Sequence, residues 1–237
     1  MIPFDSLQKS SFKMQKCYRL IPSQFPPVHL FDDVADASEF EALFAVQMLT
    51  NPRIQDEIGQ LNLIPKDQRL YDVPGCGYIM AAFTHINPNG SRFSNGDYGI
   101  YYAADSLDLA IAETVYHKEL FLSYTNEPPQ ELDMRSLLAE FSAELFDLTP
   151  LDRNTNPFYS RLDYNLCQSL GAKIKEQHDD GVVYYSVRAE GTNFALFKPK
   201  CILKCQQGSH FGYIWNGKRI DQIVKKVIKK GQHIEVK

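Results

Sequence analysis

Three residues suited to chemistry stand at near-even steps in the middle of this 237-residue chain: Arg92, Tyr102 and Glu113. Arg92 lies in a glycine-rich stretch, Gly90-Ser91-Arg92-Phe93-Ser94-Asn95-Gly96, and Tyr102 in the apolar run Gly99-Ile100-Tyr101-Tyr102-Ala103-Ala104. An arginine on a turn can grip a phosphate through two parallel hydrogen bonds. A tyrosine can stack on a flat heterocycle while its hydroxyl bonds elsewhere. A carboxylate can stabilise positive charge developing on a sugar, or act as a base. Together the three suit a phosphorylated sugar with a planar base, which is a nucleotide. The same residues can also be plain architecture: a turn, an edge strand, and a helix whose Glu113 reaches an N–H or a lysine.

The elements that must position them follow from local pattern. Gly99 to Ala104 reads as a short strand, and Ser106 or Asp105 is a suitable N-cap for the helix that follows. Glu113 sits two turns into that helix, in one sector with Leu109, Tyr116 and Leu120, which turns its carboxylate toward the interior. Upstream, Gly75-Cys76-Gly77 precedes an apolar run, Tyr78 to Phe83, that reads as a buried strand. His85 follows it, either as a local hydrogen-bonding residue or lining the site, and Asn87-Pro88-Asn89-Gly90 is a turn. Val182 to Val187 is rich in β-branched and aromatic residues, and its two-residue period places Tyr184, Ser186 and Arg188 on one face.

Elsewhere, residues 1–16 read as a poorly ordered lead-in and Cys17 to Ile21 as a strand stopped by Pro22. Gln24 to Pro27 must be extended, because proline disfavours helix in the residue before it. A helix is expected over Asp36 to Leu49, ended by Thr50-Asn51-Pro52, and a second over Pro52 to Gly59. Glu131 to Leu137 and Ala143 to Leu148 read as strands, and Leu162 to Gln177 as a helix with Leu166, Leu170 and Ile174 on one face. Asn193 to Phe197 and Cys201 to Lys204 read as a strand pair, and Asn216-Gly217 as a hairpin turn. Strands and helices intersperse, so the fold class is α+β in a single domain.

Composition narrows the function. With 25 basic and 29 acidic residues the formal charge is -4, which excludes a strongly basic nucleic-acid binder. The four lysines within Lys225 to Lys230 read as a solvated terminal face. The five cysteines are an odd, scattered set, expected as reduced thiols in a cytoplasm. Cys201 and Cys205 lack a second pair at zinc-site spacing, so no metal is expected. The absence of a long apolar run argues against a membrane span.

Taken in order, the motifs resemble the RES domain family, named for its Arg, Glu and Ser. The resemblance rests on Tyr18-Arg19-Leu20-Ile21-Pro22, Gly90-Ser91-Arg92-Phe93, Gly99-Ile100-Tyr101-Tyr102-Ala103, Ala110-Ile111-Ala112-Glu113, Asp163-Tyr164 with Gln168, and Gly181 to Arg188. It covers roughly residues 17 to 215, nearly the whole chain, and the segments Leu49 to Arg53 and Ala81 to His85 look like the longer form of the family. It implies one RES-like domain over 17–237, with residues 24–70 a helical N-terminal insertion and 216–237 a C-terminal tail. The implied fold resembles that of ADP-ribosyltransferases, with central antiparallel or mixed β-sheets flanked by helices.

The resemblance also implies a cytoplasmic bacterial toxin that destroys NAD by cleaving its nicotinamide–ribose bond. The acceptor would be water or inorganic phosphate, and the partner an antitoxin of the Xre type that covers the active site. Glu113 would stabilise the ribose oxocarbenium ion or hold the ribose hydroxyls. Arg92 or Arg19 would neutralise the pyrophosphate, Tyr102 would stack on nicotinamide or position the ribose, and Ser186 would donate one hydrogen bond in the cleft. Arg188 and His85 complete the candidate NAD contacts. No Gly-x-Ser-x-Gly elbow surrounds Ser186, and no Gly-x-Gly-x-x-Gly follows a strand, so a serine nucleophile and a Rossmann site are disfavoured. Two alternatives stay open: ADP-ribosyl transfer to a macromolecule in the same cleft, and a catalytically silent binding module.

Overall fold

The computed structural model describes residues 4–24, 29–31, 34–50, 56 and 58–227. Its seven strands are β1 (Lys9–Pro22), β2 (Tyr101–Ala104), β3 (Gln130–Asp147), β4 (Gly181–Tyr185), β5 (Thr192–Leu196), β6 (Ile202–Trp215) and β7 (Ile220–Lys226). The described α-helices are α1 (Ala37–Thr50), α2 (Cys76–Thr84), α3 (Leu107–Ser123) and α4 (Asn165–Glu176). The strands form one mixed sheet in the order β1-β2-β5-β4-β3-β6-β7, with β1 also paired to β3. This is the expected α+β class. Among the described residues no helix is long and apolar enough to cross a membrane.

The extra pairing closes a ring. β1 runs antiparallel along one edge of β3 from Lys9↔Phe146 to Pro22↔Met134. The other edge of β3 is shared: Leu145 to Asp147 pair in parallel with β4, and Gln130 to Phe141 pair antiparallel with β6. β2 and β5 complete the circuit, β2 touching β1 only at Tyr18↔Ala104. The shortness of that pairing leaves the β1–β2 junction open above Arg19 and Tyr102. α1 and α2 pack on one hydrophobic cluster with β1 and β3, α4 on a second with β4 and β5, and α3 on a third with β6.

Several elements differ from the sequence expectation for identifiable reasons. The apolar run Tyr78 to Phe83 is helical, not a strand. Cys76, Ile79, Met80 and Phe83 are all buried, which is helical spacing, and a short apolar run does not by itself distinguish the two states. Residues 1–16, expected as a lead-in, contain the first half of β1 from Lys9. A bulge between Phe12 and Gln15, with Met14 at φ 50°, breaks the two-residue alternation that would have marked it. The two strands expected over Glu131–Leu137 and Ala143–Leu148 are one, because Leu138 to Phe141 pair on both edges. β5 and β6 are not partners of each other. Pro199–Cys201 forms a 3₁₀ turn that redirects the chain from the ring to the outer edge of β3.

Other expectations shift only at their ends. Helix α1 begins one residue after Asp36, whose side chain accepts from the N–H groups of Ser38 and Glu39. α4 starts at Asn165 rather than Leu162, and Leu162 is exposed. The Asn216-Gly217 turn joins β6 and β7, with Gly217 at φ 94° and Asn216 N–H on the Arg219 carbonyl. The region grouped as a C-terminal tail therefore contributes a strand as far as Lys226. The expected segments 25–27 and 51–55, and the lysines of 228–230, lie outside the described residues.

One close contact sets the position of the glycine-rich turn. A Cβ added to Gly171 in α4 would lie 1.8 Å from the Phe93 carbonyl oxygen. Gln168, one turn earlier, donates from Nε2 to the carbonyls of Ser91 and Ser94 at 3.0 and 3.3 Å. Helix α4 thus clamps the turn that carries Arg92. Gly171→Ala is expected to lower stability by about 3 kcal/mol, the upper range for overpacking against backbone, read as a shifted denaturant midpoint. An unchanged midpoint would mean that the turn is free to move off the helix.

Candidate active site

The open β1–β2 junction is the floor of a cleft of about 450 Å³. β1 supplies Arg19, β2 Tyr102, β5 Asn193, and α3 Glu113 and His117. The glycine-rich turn adds Arg92, and the loop after β4 adds Arg188. Six of the seven residues expected at the site come together here: five line the cleft, and Ser186 lies directly behind Glu113.

Glu113 is oriented from below. α3 is capped at its N-terminus by Ser106, whose hydroxyl accepts from Leu109 N–H at 3.3 Å. Of the two candidate caps the structure uses Ser106, while Asp105 accepts from Thr192 N–H at 2.7 Å and ties the helix start to β5. Glu113 Oε1 then accepts from Ser186 Oγ at 2.6 Å and from Asn193 Nδ2 at 2.7 Å. Among the described residues both hydrogen bonds fall on Oε1, so Oε2 is left to a ligand. Asn193 was not singled out from sequence. Its signal was available, since a polar residue inside the apolar run Asn193 to Phe197 needs a buried partner.

Ser186 is fully buried, and its hydroxyl is committed in every direction. It donates to Glu113 and accepts from the N–H groups of Arg188 and Ala189 at 2.9 and 3.1 Å. A serine so engaged neither attacks nor donates to a ligand; it positions Glu113. β4 ends at Tyr185, two residues before the expected end at Val187. Arg188 therefore reaches the cleft through the turn after Ser186 rather than through strand alternation. Its guanidinium lies 3.6 Å from the centroid of the Tyr116 ring and donates to the Arg161 carbonyl at 2.9 Å.

Arg92 is only 9% exposed. It donates to the Phe158 carbonyl at 3.0 Å and stacks 4.6 Å from the Tyr164 ring centroid. Arg19 donates to the Tyr102 carbonyl at 2.9 Å and lies 5.0 Å from the Tyr101 ring. Burial lowers the Arg19 pKa, with Tyr101 the main opposing influence, yet a guanidinium in a protein stays charged. Tyr102 presents its ring to the cleft, but its hydroxyl holds the turn: it accepts from Phe93 N–H at 3.0 Å and bonds Ser91 Oγ at 2.8 Å. Burial pushes that phenol up to about 12 against those two contacts, so it stays neutral.

His85 is elsewhere. Its ring contacts Thr84 Oγ1, the Ala81 carbonyl and the Asp56 carbonyl, and it is not among the cleft-lining residues. Because Tyr78 to Thr84 is helical, His85 caps the end of α2 instead of emerging from a strand at the sheet edge. The histidine that lines the cleft is His117, four residues after Glu113, a spacing that puts both on one helix face.

His117 is exposed at the cleft mouth, yet enough protein surrounds it to shift its titration. Burial lowers its pKa below the usual 6.5; Glu113 opposes the shift, and Arg188 and Arg92 add to it. The folded-state pKa lies below the unfolded one, so its stabilising contribution is complete above about 6.5 and declines as pH falls through the folded value. Exposure keeps the effect on stability small. The imidazole should titrate below 6.5 by NMR, lower still in Glu113→Gln and higher in Arg188→Ala. Opposite shifts would mean that the ring does not sense these charges.

The fold and the cleft define a class: an α+β protein whose closed strand ring supports a cationic cleft around one carboxylate. A family model described as the RES domain matches residues 69–216. A curated relative, the Uncharacterized protein y4oC of Sinorhizobium fredii (strain NBRC 101917 / NGR234), is 33% identical over 206 residues, covering 86% of this chain and 84% of that protein. The chain belongs to the RES domain family. Arg92, Tyr102, Glu113, Ser186, Arg188 and Asn193 fall within the matched residues, and Arg19 precedes them. Among solved structures, a chain of the M. tuberculosis MbcT–MbcA toxin–antitoxin complex aligns over 88% of each chain, with a TM-score of 0.45 and 14% identity.

Proposed function

We propose that this protein cleaves the nicotinamide–ribose bond of NAD and acts as the toxin of a toxin–antitoxin pair. Charge placement carries the reading. Arg19, Arg92 and Arg188 line one cleft with Glu113, and among the described residues none of the three arginines has an ion-pair partner. Three guanidiniums against one carboxylate leave two net positive charges inside a protein whose formal charge is -4. A dinucleotide pyrophosphate carries two negative charges and supplies the missing partner.

The chemistry follows from the same residues. Breaking the N-glycosidic bond sends the bonding pair to the nicotinamide nitrogen, which leaves neutral, and the ribose becomes an oxocarbenium ion. Glu113, held on Oε1, offers Oε2 as the negative charge that this ion needs. Arg92 and Arg19 hold the pyrophosphate, and the Tyr102 ring packs on the nicotinamide or ribose. Water or inorganic phosphate takes the ribose. The cytoplasm supplies NAD, and the partner implied by the family is an antitoxin of the Xre type seated over the cleft. Leu120 and Phe121 on α3, and Leu162 beside Tyr164, are exposed apolar side chains that such a partner would cover.

The test is to follow purified protein and NAD by chromatography in buffer with and without inorganic phosphate. Nicotinamide with ADP-ribose identifies a glycohydrolase, and a phosphorylated ADP-ribose formed only with phosphate identifies a phosphorylase. NAD that survives both buffers overturns the reading.

A further inference from the structure

Resting on the NAD-cleaving reading above, we propose that His117 is the general base that activates a hydroxylic acceptor, leaving Glu113 to act only as a fixed negative charge. A carboxylate that stabilises a developing cation must stay anionic through the transition state, and taking the acceptor's proton would cancel its charge at that moment. Ser186 and Asn193 both donate to Glu113 Oε1, which fixes the carboxylate in place. Among the described residues that line the cleft, Glu113 is also the only carboxylate. The proton therefore needs another acceptor.

The remaining lining groups leave one. Arg19, Arg92 and Arg188 are cationic, Tyr102 is a neutral phenol committed to the turn, and the other polar lining side chains are alcohols, phenols and the amides of Asn87 and Asn193, none with a basic nitrogen. His117 lines the same cleft on the same face of α3, one turn beyond Glu113, and it is exposed to solvent, the source of an acceptor water. The charges that act on it come from three directions: Glu113 on its own helix, Arg188 from the loop after β4, and Arg92 from the glycine-rich turn. Burial, Arg188 and Arg92 lower its pKa and Glu113 opposes them, a net shift toward the neutral imidazole that a base requires.

The step balances as follows. The ribose C1′–N bond breaks with its electron pair passing to nicotinamide. An acceptor oxygen forms the new bond to C1′, and its proton passes to a ring nitrogen of His117 and then to solvent. An anionic acceptor has no proton to lose and does not need His117. The division of labour therefore appears as a difference between acceptors.

The experiment compares wild type and His117→Gln with NAD, in buffer alone and with sodium azide, across pH 5 to 8. Wild type should hydrolyse NAD with a rate that falls on acidification through a pKa below the usual imidazole value, as His117 gains its proton. The variant should lose hydrolysis by roughly 10²-fold, near the lower range for general-base catalysis, and lose the acid limb. Its formation of azido-ADP-ribose should stay within a few-fold of wild type, which also demonstrates a folded cleft. Unchanged hydrolysis with the acid limb retained overturns the role. Equal loss with water and azide overturns it too, assigning His117 to binding or structure. A wild type that cleaves NAD with neither acceptor overturns the base, and one that also leaves NAD intact with inorganic phosphate refutes the underlying function.

Discussion

Glu113→Gln should abolish NAD cleavage while leaving the protein folded. Glutamine matches the shape of glutamate, and its amide oxygen can still accept from Ser186 and Asn193, which now donate at 2.6 and 2.7 Å. What disappears is the charge. Opposite charges about 4 Å apart at an effective dielectric of 20 attract by about 4 kcal/mol, so nicotinamide release should fall by about 10³-fold. NAD binding should hold or tighten, because the substitution removes a negative charge from a cleft that receives a pyrophosphate. Initial rates, a binding isotherm and a melting curve on one preparation separate these effects. Wild-type turnover by the folded variant would remove Glu113 from the reaction.

Arg92 is the second decisive residue. Truncating a buried, hydrogen-bonded cation that faces a phosphate costs about 2–5 kcal/mol of binding in comparable interfaces, so Arg92→Ala should weaken NAD by about 10²-fold or more. Nicotinamide riboside lacks the pyrophosphate and should lose only a few-fold. Because Arg92 also bonds the Phe158 carbonyl and stacks on Tyr164, the alanine variant also loses packing. Arg92→Lys keeps the charge and most of the volume but not the planar fork, so its NAD affinity should fall between the two. Equal losses for the dinucleotide and the riboside would show that Arg92 does not hold phosphate.

The centre of this site was legible in the sequence because its information is local. Ser106 caps a helix, the helix turns Glu113 inward, and the glycine-rich turn holds Arg92 within one connected stretch. What escaped was set by distant partners. Asn193 matters through its bond to Glu113, eighty residues away in sequence, and no local pattern names that pair. His117 differs from an ordinary exposed helical histidine because the surrounding fold buries it and because Arg188 and Arg92 arrive from other elements. His85 was misplaced for a related reason, since the run before it is apolar enough for either strand or helix and tertiary burial chose helix. The polar, bulged start of β1 becomes a strand only once β3 lies beside it.

The ring of strands has a consequence for when the protein can act. Arg19 leaves the ribosome early and Asn193 late, yet the cleft needs both, and the ring closes only after β5 exists to join β2 to β4. At synthesis speeds of about 5–20 residues per second, the interval between those two residues is roughly 9 to 35 seconds. A nascent or truncated chain lacking β5 carries Glu113 without one of its two donors, and Arg19 without the complete strand ring around it. Translation of this protein therefore includes a built-in silent period before the cleft is complete.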